Sequence, residues 1–475
     1  MTSPGLAFQD LAIDIIFHVF AFCDIYAVLS TAKTCRYLHA LALDKSVWLA
    51  IMNDLMQRHF LDPVPNLRDL PTTEMLSILR QLVEGPGTWT RFDPDNPPVA
   101  QQTITLNPSV TTGPGITDWE NEAKMVPGGR YLLFGNWGTL ECWDIPEDKL
   151  VWTHPPSVHS AFLLGFAAHA LNEDQSLIIA LCEQADYNGH RITYVKVLQM
   201  DLQTGTHRVL LTLQIRQARV LSNLLICGEL IAIAMTPERE TYLFLNWKTQ
   251  SACLFRSKLP LDLVLLPHHI VLKTPSSADE DEIHVISPTE LRAHWVRIRG
   301  PDSLTTLDTF PPLLFEDAVK LFTTRIRLAP ALPRAAEFGL PLSPRSTFVA
   351  HEDPLRRDSY RIWTYTSRRR AGTPQFLAGM HSFHLVTSAS DPSRIEWRER
   401  TATQVLPHLT YRGITYSGHG LLDADVTGSW EVVAPGSRVH GVLYLADVGS
   451  FVHLGPYSGA LTYPTFRSIN IVRFA

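Results

Sequence analysis

The sequence predicts a multidomain α + β chain: a small N-terminal three-helix unit with further helices behind it, then an all-β propeller of about seven blades. Three observations predict it. A chain of 475 residues is too long for one ordinary core. Near residue 100 the apolar spacing changes from a helical period to short strand-like runs. Three of those runs end on comparable triplets, Trp143-Asp144-Ile145, Met200-Asp201-Leu202 and Leu245-Asn246-Trp247, which lie 57 and 45 residues apart. That spacing approaches the roughly 40 to 50 residues of a propeller blade.

Taken in order, Ile15, Ile16, Val19, Phe20 and Cys23 recur at helical spacing behind Asp14. Asp14 can cap the helix and suits its positive end. Asp24 and Asp44 precede further apolar-periodic runs at 25–32 and 45–61, and Thr34 opens the run holding Tyr37, Leu38 and Leu41. A last helix, 73–83, stops at Gly85-Pro86-Gly87, and Pro94, Pro97 and Pro98 follow. Glycine can leave a helix left-handed and proline cannot continue one. The boundaries are therefore 1–60 for the helical unit, 61–115 for a helical linker and 116–475 for the propeller.

In the β region, 131–135, 139–145 and 150–154 read as an antiparallel meander. A second unit runs 177–182, 194–202 and 206–213; a third runs 224–235, 241–247 and 251–255. His294-Trp295-Val296 is a weaker echo of the repeating triplet, and Trp143, Trp247 and Trp295 read as blade-to-blade packing. Beyond it, 361–365, 382–386, 430–433, 442–447 and 468–474 stay strand-like but lose the register. About 50 residues per blade gives about seven blades, with six or eight also compatible. A pair of sandwiches or a barrel would also give short strands. The absence of long helical runs after residue 120 argues strongly against an α/β fold, because parallel sheets need crossover helices. Segments 102–106 and 468–474 both alternate polar and apolar residues, so the first is expected to close the ring beside the last; a surface linker is its alternative.

With 45% hydrophobic and 19% charged residues the chain is globular in composition. Its 41 Lys and Arg against 47 acids leave −6, which offers no field for nucleic acid or anionic lipid. The six cysteines show no close pairing, as expected of a reducing, intracellular compartment, cytoplasmic or nuclear. The apolar stretch 224–235 is broken by Gly228 and Glu229 and is shorter than the roughly 20 residues of a membrane span.

No catalytic constellation is present. There is no phosphate-binding Gly-x-x-x-x-Gly-Lys loop, and Gly455-Pro-Tyr-Ser-Gly459 has the wrong spacing for a nucleophile elbow. His381-x-x-His384 and His268-His269 lack the partner ligands of a zinc site. Asp279-Glu-Asp-Glu282 lacks the alternation and glycine of a calcium loop. The expectation is a non-enzyme with no cofactor and no metal.

The segment Leu11-Ala-Ile-Asp-Ile-Ile-Phe-His-Val-Phe-Ala-Phe22, then Asp24, Thr34-Cys-Arg-Tyr-Leu-His39 and Asp44-Lys-Ser-Val-Trp48, resembles an F-box. It departs from that pattern at Ala12, where the family usually has proline. Leu70-Pro-Thr-Thr-Glu-Met-Leu76 and Trp89 resemble the joining segment of fungal-type F-box proteins. The resemblance implies docking on a Skp-type adaptor, and through it on the cullin of an SCF-type ubiquitin ligase. It also implies that the WD-like propeller acts as substrate receptor for an unknown protein. Leu11, Ile15, Ile16, Val19, Phe20, Val28 and Leu29 are the expected adaptor contacts. The apolar surplus of the three helices agrees, although Ile16 and Val19 could equally face a core shared with 45–61. Alternatives are a non-catalytic propeller scaffold in a Skp-containing complex without ubiquitin transfer, and an enzyme using the central channel. Residues 262–317 sum to −6 and 345–400 to +4, so oppositely charged sectors are expected. Arg356, Arg357, Arg368, Arg369 and Arg370 are the candidates for an acidic or phosphorylated partner.

Overall fold

The computed structural model describes Phe8 and residues 11–90, 98–108, 122–136, 138–154, 161–171, 176–187, 190–216, 220–236, 241–259, 261–275, 281–298, 304–305, 307–328, 345–369, 375–388, 391–407, 409–424, 429–435, 440–443, 445, 451–465 and 468–474.

Helices α1 (Ile13–Phe22), α2 (Ile25–Ala32), α3 (Arg36–Ala42), α4 (Lys45–Gln57), α5 (Thr72–Glu84) and the short α6 (Gly87–Thr90) come first. The cap of α1 is Ala12, which offers no side-chain acceptor, and Asp14 sits inside the first turn. There it still meets the positive helix end. Asp24 accepts from the Ala27 amide and Asp44 from the Ser46 amide, as their positions require. Thr34 instead bonds back to the Thr31 carbonyl, leaving Cys35 as the cap of α3 without a side-chain bond. One core joins α1 to α5, with Ile16, Phe20, Val28, Trp48, Met52 and Met75 at its centre. Gly85 ends α5 at φ 86°, and an added Cβ there would meet His419 and Ser417. Both conformation and space therefore require glycine.

Ala12 has φ −60° and ψ 144°, the torsion that proline imposes. Ala12→Pro is therefore expected to raise stability by about 0.4–1 kcal/mol by restricting the unfolded chain. A thermal melt checks it, and a lower midpoint would show strain at Leu11.

The β region forms seven separate sheets, that is, seven blades, antiparallel except where two short strands, Leu304–Thr305 and Pro312–Leu314, add in parallel to two of them. Blade I comprises Glu122–Met125, Tyr131–Gly135, Leu140–Asp144 and Lys149–His154; blade II comprises Phe162–Ala170, Ser176–Tyr187, His190–Asp201 and His207–Arg216. Blade III comprises Val220–Cys227, Leu230–Thr236, Thr241–Asn246 and Ser251–Arg256, and blade IV comprises Asp262–Leu266, His269–Pro275, Asp281–Ile286 and Phe322–Arg327. Blade V is Arg345–Glu352, Ser359–Arg369, Gln375–Ser388 and Asp391–Pro407; blade VI is Leu409–Ile414, Gly420–Ala424, Ser429–Val433 and His440–Leu443. Blade VII orders His453–Leu454, Leu461–Pro464, Ile469–Phe474 and, from the other end of the domain, Ala100–Leu106. Ile104 lies opposite Ile471 and Leu106 opposite Ile469. The alternating segments do meet, and Ala100–Leu106 covers what would otherwise be the open edge of Ile469–Phe474.

The three repeating triplets all end the third strand of their blades, so the spacing seen in sequence is real structural equivalence. Two expectations need correction. Segment 224–235 is two strands, because Gly228 at φ 55° turns the chain between Cys227 and Leu230. His294-Trp295-Val296 is no third-strand end: that strand of blade IV closes at Ile286, and a short 3-10 helix, Glu290–His294, follows. Trp143 is buried between blades VII and I, whereas Trp247 and Trp295 are only half-buried.

Candidate functional site

The helical unit sits on the face made by the turns between first and second strands. In blade V that turn brings the Leu355 carbonyl 2.9 Å from the Tyr26 amide. Arg58 reaches Glu352 at 2.6 Å and Asp54 at 3.3 Å, while Arg357 holds the other Asp54 oxygen at 2.9 Å. Burial opposes charge on Arg58, but the two carboxylates outweigh it and hold its pKa above the ordinary value. Tyr457 of blade VII donates to the Glu352 carbonyl at 3.0 Å and meets Phe60 edge-on, ring centres 4.8 Å apart. Asp62 pairs with Arg473. Trp89, fully buried, packs against His419 of blade VI and Phe474 of blade VII. Ion pairs, ring contacts and a buried indole thus pin the helices over blades V, VI and VII.

Away from these contacts, α1 carries an exposed apolar ridge. Spacing by four and three turns Ile15, Val19 and Phe22 to one side of α1, and they are 49%, 36% and 67% exposed. Ile16 and Phe20, on the opposite side, are buried. Side chains this apolar and this exposed on one helix are candidates for a partner contact. Of the seven expected adaptor contacts, Ile15, Val19 and Leu29 are exposed, and Leu11 is half-buried against the core. Ile16, Phe20 and Val28 belong to the core shared with α4 and α5, so they are corrected from contacts to supports. Phe22, among the apolar surplus but outside the set of contacts, is the most exposed of the ridge. Its seven-residue offset from Ile15 was the signal that could have placed it there.

The arginines do not form one patch. Arg357 is engaged by Asp54 and Arg356 lies over the Tyr26 ring at 5.7 Å, so both are committed to the helical unit. Arg368 and Arg369 end the strand that begins at Ser359, which puts them at the opposite face of the ring. Their side chains, and Arg370 altogether, lie outside the described residues. Acids of 262–317 are partly matched within blade IV: buried Lys273 lies 3.3 Å from Asp262 and 3.6 Å from Asp281, and Arg325 and Arg327 hold Glu282. The hydrogen bond from Arg325 comes first among the causes that keep Glu282 below its ordinary range.

In the central channel, a cavity of about 510 Å³ is lined by the first strands of blades III, IV and V. Its titratable groups are engaged elsewhere, Asp262 by Lys273 and His351 by the Ile414 carbonyl at 2.7 Å. Among the described residues no group of three His, Cys, Asp or Glu side chains could hold a metal, and no helix is long and apolar enough to cross a membrane.

No family model and no curated protein matches the chain. Among solved structures it is similar to the WD40 domain of SCAP from fission yeast, at 11% identity and a TM-score of 0.40, over 75% of this chain and 82% of that one. The fission yeast SREBP-SCAP binding-domain complex is similar at 8% identity and a TM-score of 0.35, over 67% and 79%. Drosophila Semaphorin 2a is similar at 7% and 0.27, over 80% and 76%. Likenesses this distant carry no inference, and the seven blades rest on the strand pairing itself.

Proposed function

We propose that the chain is a substrate receptor of an SCF-type ubiquitin ligase. Its helical unit docks a Skp-type adaptor, which joins it to a cullin, and its propeller holds the target. The observation that carries this reading is the exposed ridge Ile15, Val19 and Phe22 on a unit that is itself fixed to the ring through Arg58 and Glu352. The F-box resemblance supplies the partner. Fixing the unit by ion pairs from Asp54 of α4 and from Arg58 and Asp62 just after it suits a receptor that must present a target at a set distance from the ligase.

Ile15→Asp with Val19→Asp tests it. Both side chains are exposed, so the fold should survive and the thermal midpoint should stay near the parent value. Binding to a purified Skp-type adaptor should fall about a hundredfold or more, since two apolar anchors become charged at a desolvated contact. Equal binding by parent and variant, or none by the parent, would sink the proposal. Ile16→Asp is no substitute, because Ile16 is fully buried and an unpaired charge there unfolds the unit.

A further inference from the structure

Blades I and II join their third and fourth strands by short turns, 145–148 and 202–206. Blade IV does not. After Ile286 the chain leaves the sheet and returns only at Phe322. In between it runs back along the ring: Val296–Arg297 and Pro312–Leu314 both pair with the outer strand of blade III, and Leu304–Thr305 pairs with that of blade II. Its own Leu291, Leu307, Phe310 and Leu313 are buried. Such an insert protects strand edges, and long ordered inserts on a rigid scaffold are also where binding sites are built.

Its first turn walls a groove of about 790 Å³, within the range of roughly 300–1,000 Å³ typical of ligand sites. The other wall is the pair of turns Gly228–Glu229 and Pro267–His268. These are first-to-second-strand turns, so the groove opens on the same face as the helical unit. No described lining residue comes from that unit. The half-buried Trp295 indole lines it, with Nε1 donated to the Pro288 carbonyl at 3.4 Å, beside Leu230. Charge is unbalanced: Glu229 is matched by Lys248 at 2.6 Å, whereas Arg292 is exposed and its side chain makes no hydrogen bond or ion pair among the described residues.

We propose that this groove holds an extended acidic segment of a partner protein, with an apolar side chain against Trp295 and a carboxylate on Arg292. An open groove of this volume takes several residues of chain, and the carboxylate supplies the partner that Arg292 lacks. The site names the target class of the receptor, and it rests on that reading only for the fate of the partner after capture.

A phage-displayed random dodecapeptide library, panned on the immobilised full chain, tests it. The expected winners pair an acidic residue with a nearby aromatic or aliphatic one. A synthetic winner should bind about tenfold or more weakly to Arg292→Glu and to Thr249→Trp, which fills the groove without changing charge. Both positions are exposed, and if one variant failed to fold the other would carry the comparison. Ile15→Asp with Val19→Asp should bind the peptide like the parent, so loss of the adaptor and loss of the peptide are read separately. No enrichment over a bare surface, basic winners, or winners indifferent to both groove variants would overturn the proposal.

Discussion

A chain lacking residues 469–475 is expected not to form the propeller at all. Among the described residues Ile469–Phe474 is the only sheet partner of Ala100–Leu106, and it also pairs with Leu461–Pro464. It buries Ile469, Ile471, Val472 and Phe474. Four such side chains at about 1.5–3 kcal/mol each amount to a loss on the order of 10 kcal/mol, which is comparable with the whole stability of a typical domain. Size-exclusion chromatography and a thermal melt decide it. A truncated chain that elutes and melts like the parent would show that the ring closes without this strand. Ile471→Asp, an unpaired charge at a fully buried site, should reproduce most of the effect.

The second large effect is expected with acid. Burial pushes the pKa of His154, His284, His351, His419 and His453 from 6.5 down to about 4. For His284 the nearby Glu282 pulls the other way without overcoming the burial. In the unfolded chain each imidazole takes its proton near pH 6.5, so between 6.5 and 4 the unfolded state binds more protons. Stability from these neutral rings is thus complete above pH 6.5 and is lost as pH falls toward 4. One such group costs up to about 1.4 kcal/mol per pH unit, so five together should remove several kcal/mol between pH 6 and 5. Urea midpoints measured from pH 8 to 4.5 should be flat at first and then fall steeply. A midpoint that holds steady to pH 5 would mean that these rings are hydrated in the folded protein.

How much of this was legible beforehand depended on how local the signal was. Asp24 and Asp44 announced their helices, because a cap is decided within four residues. The triplets at Asp144, Asp201 and Asn246 announced a blade period, because each ends the same strand of its unit. The echo at Trp295 misled, since the same residue types there serve the insert that walls the groove rather than a blade. Segment 224–235 misled for a different reason: one glycine in an apolar run marks either a bulge or a turn, and only the partner strands decide. Which of Ile15, Ile16, Val19 and Phe20 face outward followed from where α4 and α5 pack, a tertiary fact. Arg356 and Arg357 looked like a free basic loop because Asp54 lies 303 positions away from Arg357 in sequence.

The seam of the ring also sets a clock. Thr105 and Asn470, hydrogen-bonded across it, are 365 positions apart, and at about 5–20 residues per second a ribosome needs roughly twenty to seventy seconds to make the second after the first. Throughout that interval Ala100–Leu106 has emerged without the strand it pairs with, and every intervening blade waits in an open arc. The helical unit, whose core spans Ile16 to Leu82, can be finished long before. A nascent chain of this kind should therefore spend most of its synthesis with folded helices ahead of an unclosed sheet ring. Chaperone occupancy on translating ribosomes should persist until the last strand emerges.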